Sequence, residues 1–193
     1  MKARYLLSLL FTLLFSNAAF SQTTTICDNH PVPSGYAIVE RFSSSQCMGI
    51  NRNGMNATLR IQPITSPMEV CSESPLPDEY VVVQQKSTRK CWNIGMSQTA
   101  ATWVIRKPTS PDQVCTISRI PKGYVITNSL NNNRCFNANL SGNLSTHLIK
   151  VPDRVEKICN YSPIPPGYRI TQLIHAPSCV GGIVPYQGYL ISR

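Results

Sequence analysis

The sequence predicts an all-β protein built from four tandem repeats of 44 residues, each with about three short strands and one disulfide staple. Two observations carry this prediction: the cysteines are regularly spaced, and the first cysteine of each repeat is followed by a proline and a tyrosine, with glycine before the tyrosine in three of the four repeats. A shorter interval, from Cys27 to Cys47, alternates with a longer one, from Cys47 to Cys71, and the alternation continues through Cys91, Cys115, Cys135, Cys159 and Cys179. Such self-similarity is typical of repeat architectures, whose units stack in a row or close into a small propeller-like ring.

Residues 1–21 have the features of a secretory signal peptide. Lys2 and Arg4 precede an apolar stretch over residues 6–15, and Ala19-Phe20-Ser21 has the small-x-small pattern of a cleavage site. The apolar stretch is shorter than the roughly 20 residues that a membrane-spanning helix needs. We therefore expect residues 1–21 to be removed on export, and the protein to be secreted or periplasmic with no membrane span.

The exported part divides into four repeats. We place repeat 1 at residues 22–69, repeat 2 at 70–113, repeat 3 at 114–157 and repeat 4 at 158–193. This part keeps 16 basic and 9 acidic residues, so its formal net charge is +7. A unit of this size cannot bury a self-sufficient core, so each repeat needs a staple or a neighbour.

The first predicted strand of each repeat follows a tyrosine that stands nine residues after the first cysteine. Proline, three residues before the tyrosine, fixes φ and lacks an amide hydrogen, so it suits a position ahead of a strand. Glycine before the tyrosine permits a tight turn, although Glu79 replaces it in repeat 2. Alternating apolar residues then predict strands at Ala37–Phe42, Val81–Lys86, Val125–Leu130 and Arg169–Ile174.

Two further strands complete the predicted repeat. A polar turn leads to the second cysteine, which we expect to open a short second strand beside Met48, Trp92, Phe136 or Val180. A loop rich in glycine, asparagine and serine then leads to a third strand. Its predicted positions are Thr58–Ile61, Thr102–Ile105, Thr146–Ile149 and Tyr189–Ile191.

Two periodic disulfide patterns are compatible with the cysteine spacing. Pairing within repeats joins Cys27 to Cys47, with equivalent bonds in the other three repeats. Pairing between repeats joins Cys47 to Cys71 and its equivalents, and it leaves Cys27 and Cys179 to close a ring. The chain holds a whole number of repeats, each with both cysteines, which favours pairing within repeats. Each such bond stabilises the fold by roughly 3 kcal/mol in the chain-entropy model.

The repeated motif also carries a resemblance. The segment Pro165-Pro166-Gly167-Tyr168-Arg169-Ile170, followed by Cys179, resembles the tandem unit of uncharacterised secreted bacterial proteins. The resemblance covers nearly all of the exported part and implies its architecture. It implies no activity.

Catalytic and metal-binding motifs are not found in the sequence. It has no nucleophile elbow, zinc-protease helix motif or phosphate-binding glycine loop. No two cysteines are closer in sequence than Cys27 and Cys47, whereas zinc sites use closely spaced pairs, and an even cysteine count in an exported chain predicts disulfides. His30, His147 and His175 occupy unrelated repeat positions. We therefore expect no enzyme activity, no catalytic residue, no metal and no cofactor.

A polar side chain recurs within the first predicted strand, at Glu40, Gln84, Asn128 and Gln172. Simple alternation places this column on the same face as the tyrosine. Two interpretations stay open: a line of hydrogen-bonding groups along an axis or groove, or a strand end that emerges into solvent.

Basic residues near the polar turns are the candidate binding residues. Lys86, Arg89 and Lys90 precede Trp92 in repeat 2, and Arg134 holds a similar place in repeat 3. Basic and aromatic groups together bind anionic glycans, lipid head groups or nucleic acid. Nucleic-acid binding is not expected of an exported chain without a sustained basic stripe. The alternative is that the aromatic column belongs to the core and the charges form a solvated rim.

These features predict an exported, non-enzymatic binding or structural module that acts at the cell envelope or outside the cell. Its expected partners are a cell-surface glycan or a cell-surface protein, and four similar sites would bind with avidity. The alternative is a secreted inhibitor or toxin-like effector that acts on a host or competitor enzyme through one divergent loop. The sequence does not determine the oligomeric state.

Overall fold

The computed structural model describes residues 22–47, 57–91, 100–130, 132–135, 146–180 and 186–193. Over these ranges the chain forms twelve β-strands, one short 3-10 helix at Ser45–Cys47 and no α-helix. The all-β prediction is confirmed. No helix in the described ranges is long and apolar enough to cross a membrane. The predicted signal peptide lies outside the described residues.

The described strands form four antiparallel sheets of three strands, one for each repeat. In each sheet the third strand in chain order lies between the other two. The strands of repeats 1 and 2 are β1 Thr24–Cys27, β2 Tyr36–Ser43, β3 Ala57–Pro63, β4 Met68–Cys71, β5 Val81–Thr88 and β6 Ala100–Arg106. Those of repeats 3 and 4 are β7 Asp112–Cys115, β8 Val125–Leu130, β9 Thr146–Lys150, β10 Val155–Cys159, β11 Arg169–His175 and β12 Gln187–Ser192.

Three strands per repeat were predicted correctly, but one of the three was misplaced. The strands after the tyrosine and the last strand of each repeat are confirmed. The second cysteine opens no strand where the chain is described, since Cys47 ends the 3-10 helix and neither Cys179 nor Val180 is in a strand. The remaining strand of each repeat instead ends at the first cysteine, and four or five residues are too few to show a period. Met48, Trp92 and Phe136 lie outside the described residues.

A β-bulge occurs at the same place in all four repeats. In repeat 1, Ile38 pairs with Ile61 and Glu40 pairs with Arg60, so one extra residue lies between the two pairs. The register shifts at the equivalent place in β5, β8 and β11. A one-residue shift turns the following side chains to the other face. The Glu40 side chain therefore lies on the other face of the sheet from Ile38, where it forms an ion pair with Arg60. This favours the solvent-exposed interpretation of the polar column in repeat 1.

The four disulfides pair within repeats, the pattern that the whole number of repeats favoured. They join Cys27 to Cys47, Cys71 to Cys91, Cys115 to Cys135 and Cys159 to Cys179. The disulfides of repeats 2, 3 and 4 each pack under the sheet of the preceding repeat. Cys115 and Cys135 share a buried cluster with Val82 and Ile105 of repeat 2, and the other two bonds have equivalent surroundings. The hydrophobic core therefore extends across the junctions between repeats.

The repeats stack in a row. The second strand of one repeat contacts the first strand of the next, in the pairs β2 with β4, β5 with β7 and β8 with β10. At the end of the row, β11 is exposed along most of its length. Of the two predicted arrangements, the described strands therefore form the open row. We number the junctions 1 to 3 from the N-terminal end.

Two hydrogen bonds recur at every junction. The first runs from a strand amide to a serine hydroxyl of the next repeat, with N···O distances of 2.9 Å for Ile38–Ser74, 3.0 Å for Val82–Ser118 and 2.8 Å for Ile126–Ser162. The second runs from a strand amide to a turn carbonyl of the next repeat, at 2.8 Å for Arg41–Lys90, 2.7 Å for Gln85–Arg134 and 2.9 Å for Ser129–Ser178. Each repeat thus satisfies edge amides of the repeat before it.

Candidate functional site

The junctions share their frame but differ at three positions that lie together. The first position is on the second strand, the next is its cross-strand partner, and the last follows the first cysteine of the next repeat by two residues. Strand register and contacts bring the three together at each junction. The three residues are Arg41, Leu59 and Glu73 at junction 1, Gln85, Trp103 and Ile117 at junction 2, and Ser129, His147 and Tyr161 at junction 3.

Junction 1 carries a charge cluster. The Arg41 guanidinium lies 2.5 Å from a carboxylate oxygen of Asp28 and 3.2 Å from one of Glu73. Burial raises the pKa of Glu73 above its ordinary value, and the positive charge of Arg41 opposes this rise. The pair with Glu73 joins repeat 1 to repeat 2, and because the Arg41 side chain is only 9% exposed, the cluster does not offer a cation to a ligand.

Junction 3 carries a polar aromatic cluster. The Ser129 hydroxyl lies 3.1 Å from Nδ1 of His147 and also bonds the Tyr161 hydroxyl, and the two rings lie 5.6 Å apart. Burial lowers the pKa of His147 to about 4, so its imidazole is neutral at neutral pH. A serine bonded to a neutral histidine has the chemistry of a nucleophile and its base. Here Ser129 is buried and already bonded to two side chains, so the cluster is an internal contact.

Junction 2 opens an apolar groove of about 460 Å³. It lies between the loops that follow the first cysteines of repeats 2 and 3. Its lining residues are Ser74, Pro75, Leu76, Pro77, Tyr80, Val82, Trp103, Ile117, Ser118 and Arg119. Ile117 is 39% exposed, so an apolar side chain projects where junctions 1 and 3 hold Glu73 and Tyr161.

The polar groups of the groove differ in how strongly they are bound to partners within the protein. The hydroxyls of Ser74 and Ser118 accept the junction hydrogen bonds described above. Arg119 lies at the rim with its side chain 84% exposed, 3.3 Å from the equally exposed Asp78. Such surface ion pairs are weak, so the guanidinium of Arg119 exchanges readily between Asp78 and another carboxylate.

Two buried polar atoms at junction 2 have no hydrogen-bond partner among the described residues. They are Nε1 of Trp103 and Oε1 of Gln85, which occupy cross-strand partner positions. An unpaired buried polar group costs about 1–3 kcal/mol. Within the described residues, junction 2 therefore combines an open surface with unpaired buried polar atoms.

The predicted basic cluster contains its own counter-charge. Nζ of Lys86 lies 2.9 Å from Glu69, and this hydrogen bond is the main reason that the pKa of Glu69 lies below its ordinary value. The charge of Lys90 acts on Glu69 in the same direction. Arg89 is exposed on the same turn. These residues therefore behave largely as a solvated, partly compensated rim, in line with the alternative interpretation.

The stacking brings the last basic residue beside the others. The carbonyl of Arg134 accepts a hydrogen bond from the amide of Gln85, the neighbour of Lys86 in β5. Repeat 3 thus places its turn against the strand that carries part of the cluster. Trp92 lies outside the described residues, so its predicted role in the core or in binding stays a prediction.

The groove was missed in the sequence because its residues belong to two different repeats. The sequence motif places Pro77 and Tyr80 only ahead of the predicted strand Val81–Lys86, and it predicts no role for the serine column of Ser74, Ser118 and Ser162. A comparison of the columns at Trp103 and Ile117 would have shown where junction 2 departs from the other two. No cluster of three metal-binding side chains occurs in the described ranges.

No family model, no curated protein and no solved structure matches this chain. The resemblance to secreted bacterial tandem-repeat proteins stays a prediction.

Proposed function

We propose that this protein is an exported, non-enzymatic binding module that recognises another protein through the groove at junction 2. The observation that carries the proposal is the groove itself. The junction keeps the frame of its neighbours and yet presents Ile117, Tyr80 and Trp103 around an open apolar volume. Apolar clefts with a few placed polar groups are the usual form of binding sites.

The chemistry of the groove favours an apolar peptide segment over a glycan. A sugar needs several free hydrogen-bonding groups, but Ser74 and Ser118 are committed to the amides of Ile38 and Val82. The remaining surface is apolar, with the exposed guanidinium of Arg119 at its rim. The expected ligand is an aliphatic or aromatic side chain with an aspartate or glutamate close to it in sequence.

Export is supported by the disulfides and by the sequence of residues 1–21. Four disulfides are typical of proteins that fold in an oxidising compartment. A signal peptide would deliver the chain to such a compartment. The partner is therefore expected at the cell envelope or outside the cell.

The absence of catalysis is the second part of the proposal, and it is supported by how the junction side chains are used. Arg41 is held in two ion pairs, and Ser129 is bonded to His147 and Tyr161. At each of these two junctions, the polar side chains form ion pairs or hydrogen bonds with one another. A module of this kind binds a partner without transforming it.

Selection of peptides from a displayed library tests the proposal. The purified protein is expected to enrich peptides with an apolar residue beside an acidic one. The Ile117→Asp variant is expected to bind these peptides at least tenfold more weakly. The Arg119→Glu variant is expected to select basic residues in place of acidic ones, because the charge at the rim is reversed.

Matched controls use residues of repeat 3 outside the groove. Val151 is 49% exposed and Arg154 is exposed, so Val151→Asp and Arg154→Glu make the same chemical changes on another surface. Both are expected to bind the selected peptides like the unmodified protein. Glycan binding that survives Ile117→Asp, with no peptide enriched, would overturn the proposal. A captured partner enzyme that loses activity on binding would instead support the inhibitor function.

A further inference from the structure

Each internal junction has two halves, and each end of the stack carries one of them. The back half is the second strand of a repeat, with the edge amides that the next repeat satisfies. The front half is the first strand, the disulfide and the serine position of the following repeat. Within the described chain, repeat 4 has a back half with no repeat after it, and repeat 1 has a front half with no repeat before it.

The back face of the stack is the outer side of β11. Ile170 is 46% exposed there, whereas Ile126, at the same position in repeat 3, is 3% exposed beneath repeat 4. Leu173 is 58% exposed at the position of Ser129. In the other repeats the amides at these two positions donate the recurrent junction bonds. The back face thus presents apolar side chains and strand amides in the arrangement that an internal junction buries.

The front face of the stack contains a cavity of about 380 Å³. It is lined by Thr25, Ile26, Cys27, His30, Gln46, Cys47 and Thr58. Ile26 and Cys27 are only half-buried, whereas Val70 and Cys71, at the same positions in repeat 2, are 0% exposed. The cavity lies where a preceding repeat would pack.

We propose that the back face of one copy docks onto the front face of a second copy and continues the stack from chain to chain. Ile170 then enters the cavity beside the disulfide of Cys27 and Cys47. Ile38 has these surroundings at junction 1, where it shares a buried cluster with Cys71 and Cys91.

The hydrogen bonds of the junction have counterparts in this contact. Gln46 holds the repeat position of Lys90, whose carbonyl accepts the amide of Arg41, so its carbonyl accepts the amide of Leu173. His30 holds the position of Ser74, and a ring nitrogen of its imidazole accepts the amide of Ile170.

Arg169 makes the contact weaker than an internal junction. It replaces Ala37, Val81 and Val125, which are all 0% exposed. A polar group on an exposed repeat face favours contact with water, and a long arginine side chain can bury its stem while its guanidinium stays in water. The contact is head-to-tail, so it extends into open chains of copies unless the rotation closes a ring.

Sedimentation velocity over a range of protein concentrations tests the association. The weight-average mass is expected to rise continuously between about 1 µM and 1 mM, the range of weak contacts. A single mass equal to one chain throughout this range would overturn the proposal. The secreted, disulfide-bonded chain is used, with its N-terminus determined by mass spectrometry.

Complementation of two blocked variants tests the geometry. The back-blocked variant is Ile170→Arg/Leu173→Arg, and the front-blocked variant is Thr25→Arg/Gln46→Arg. All four side chains are exposed, so the folded repeats are retained, as unchanged thermal unfolding would show. Each variant alone is expected to be monomeric. An equimolar mixture still has one intact front and one intact back, so it is expected to form 1:1 dimers and nothing larger.

Two further outcomes separate this contact from others. The control variant Val151→Arg/Val155→Arg adds the same charges to exposed positions away from both faces, and it is expected to associate like the unmodified protein. Dimers formed by either blocked variant alone would show a symmetric contact and overturn the proposal, as would a mixture that stays monomeric. The groove at junction 2 takes no part, so peptide binding there is independent of the result.

Discussion

The amide of Val82 in repeat 2 donates a hydrogen bond of 3.0 Å to the hydroxyl oxygen of Ser118 in repeat 3. Both residues are buried, and the same bond recurs at the other two junctions. Val82 lies on the edge of its sheet, where a strand amide has no strand partner. One short side chain therefore satisfies an edge amide and fixes the register of one repeat on the next.

Replacing Ser118 by alanine is expected to destabilise the protein by about 1–3 kcal/mol, because the buried amide of Val82 loses its acceptor. Urea unfolding followed by circular dichroism measures the change. Ser34→Ala is the control, since Ser34 is exposed, and surface changes are usually within about 0.5 kcal/mol. Equal stability of the two variants would mean that water replaces the serine hydroxyl.

The disulfides are expected to differ in their contributions, although all four close loops of equal length. Chain entropy gives each bond roughly 3 kcal/mol. Cys115 and Cys135 also fill the core beneath Val82 and Ile105, whereas Cys27 is half-buried at the open front face. Replacing Cys115 and Cys135 by alanine is therefore expected to cost more than replacing Cys27 and Cys47.

Thermal and urea unfolding of the two double variants measure this difference. The loss of stability of both variants is expected to lie in the range of about 2–5 kcal/mol that is typical of disulfide removal. The loss for Cys115 and Cys135 is expected at the upper end of this range. Equal losses would show that loop closure accounts for the whole effect. A larger loss for Cys27 and Cys47 would contradict the position of the core across the junctions.

The sequence predicted the repeat and its strands where residues recur in columns with a local physical meaning. Proline, glycine and tyrosine placed the strands after them, and the whole number of repeats favoured the disulfide pairing within repeats over the pairing between repeats. The second strand was misplaced because the strand that actually occurs is very short, with four residues in repeat 2. The face of the polar column at Glu40 was not predicted because a bulge shifts the register before it. Neither feature changes the periodicity of the sequence enough to be seen. The groove joins Trp103 of one repeat to Ile117 of the next, and such a contact depends on how the repeats stack.

Stability is expected to fall as the pH is lowered from about 6.5 to about 4 because of His147. Burial lowers the pKa of this imidazole to about 4 in the folded protein, whereas an unfolded histidine has a value of about 6.5. Below pH 6.5 the unfolded chain therefore binds a proton that the folded chain does not, and the free energy of unfolding falls. The loss is on the order of 2–3 kcal/mol at pH 4.

Urea unfolding at a series of pH values between 7 and 4.5 measures this loss, in a window above the ordinary range of carboxylates. His147→Gln keeps a polar side chain beside Ser129 and is expected to flatten the dependence. His175→Gln, on the exposed strand β11, is expected to leave it unchanged. Equal slopes for the two variants would show that other groups cause the dependence.

The turn before each tyrosine is expected to respond to substitution differently in repeats 2 and 3. In both, the tyrosine amide donates to the proline carbonyl three residues earlier, at 3.0 Å for Tyr80 and 3.1 Å for Tyr124. Gly123 has a φ of 91°, which fits a type II turn, whereas Glu79 has no positive φ, which fits type I. No atom lies within 4 Å of the position of a Cβ on Gly123, so the cost of a side chain there is that of the backbone.

Gly123→Ala is expected to destabilise by about 1–2 kcal/mol. Glu79→Ala is expected to change little. The midpoint of urea unfolding compares the two, and a stability of Gly123→Ala equal to that of the unmodified protein would show that the turn of repeat 3 adopts the type I form at no cost.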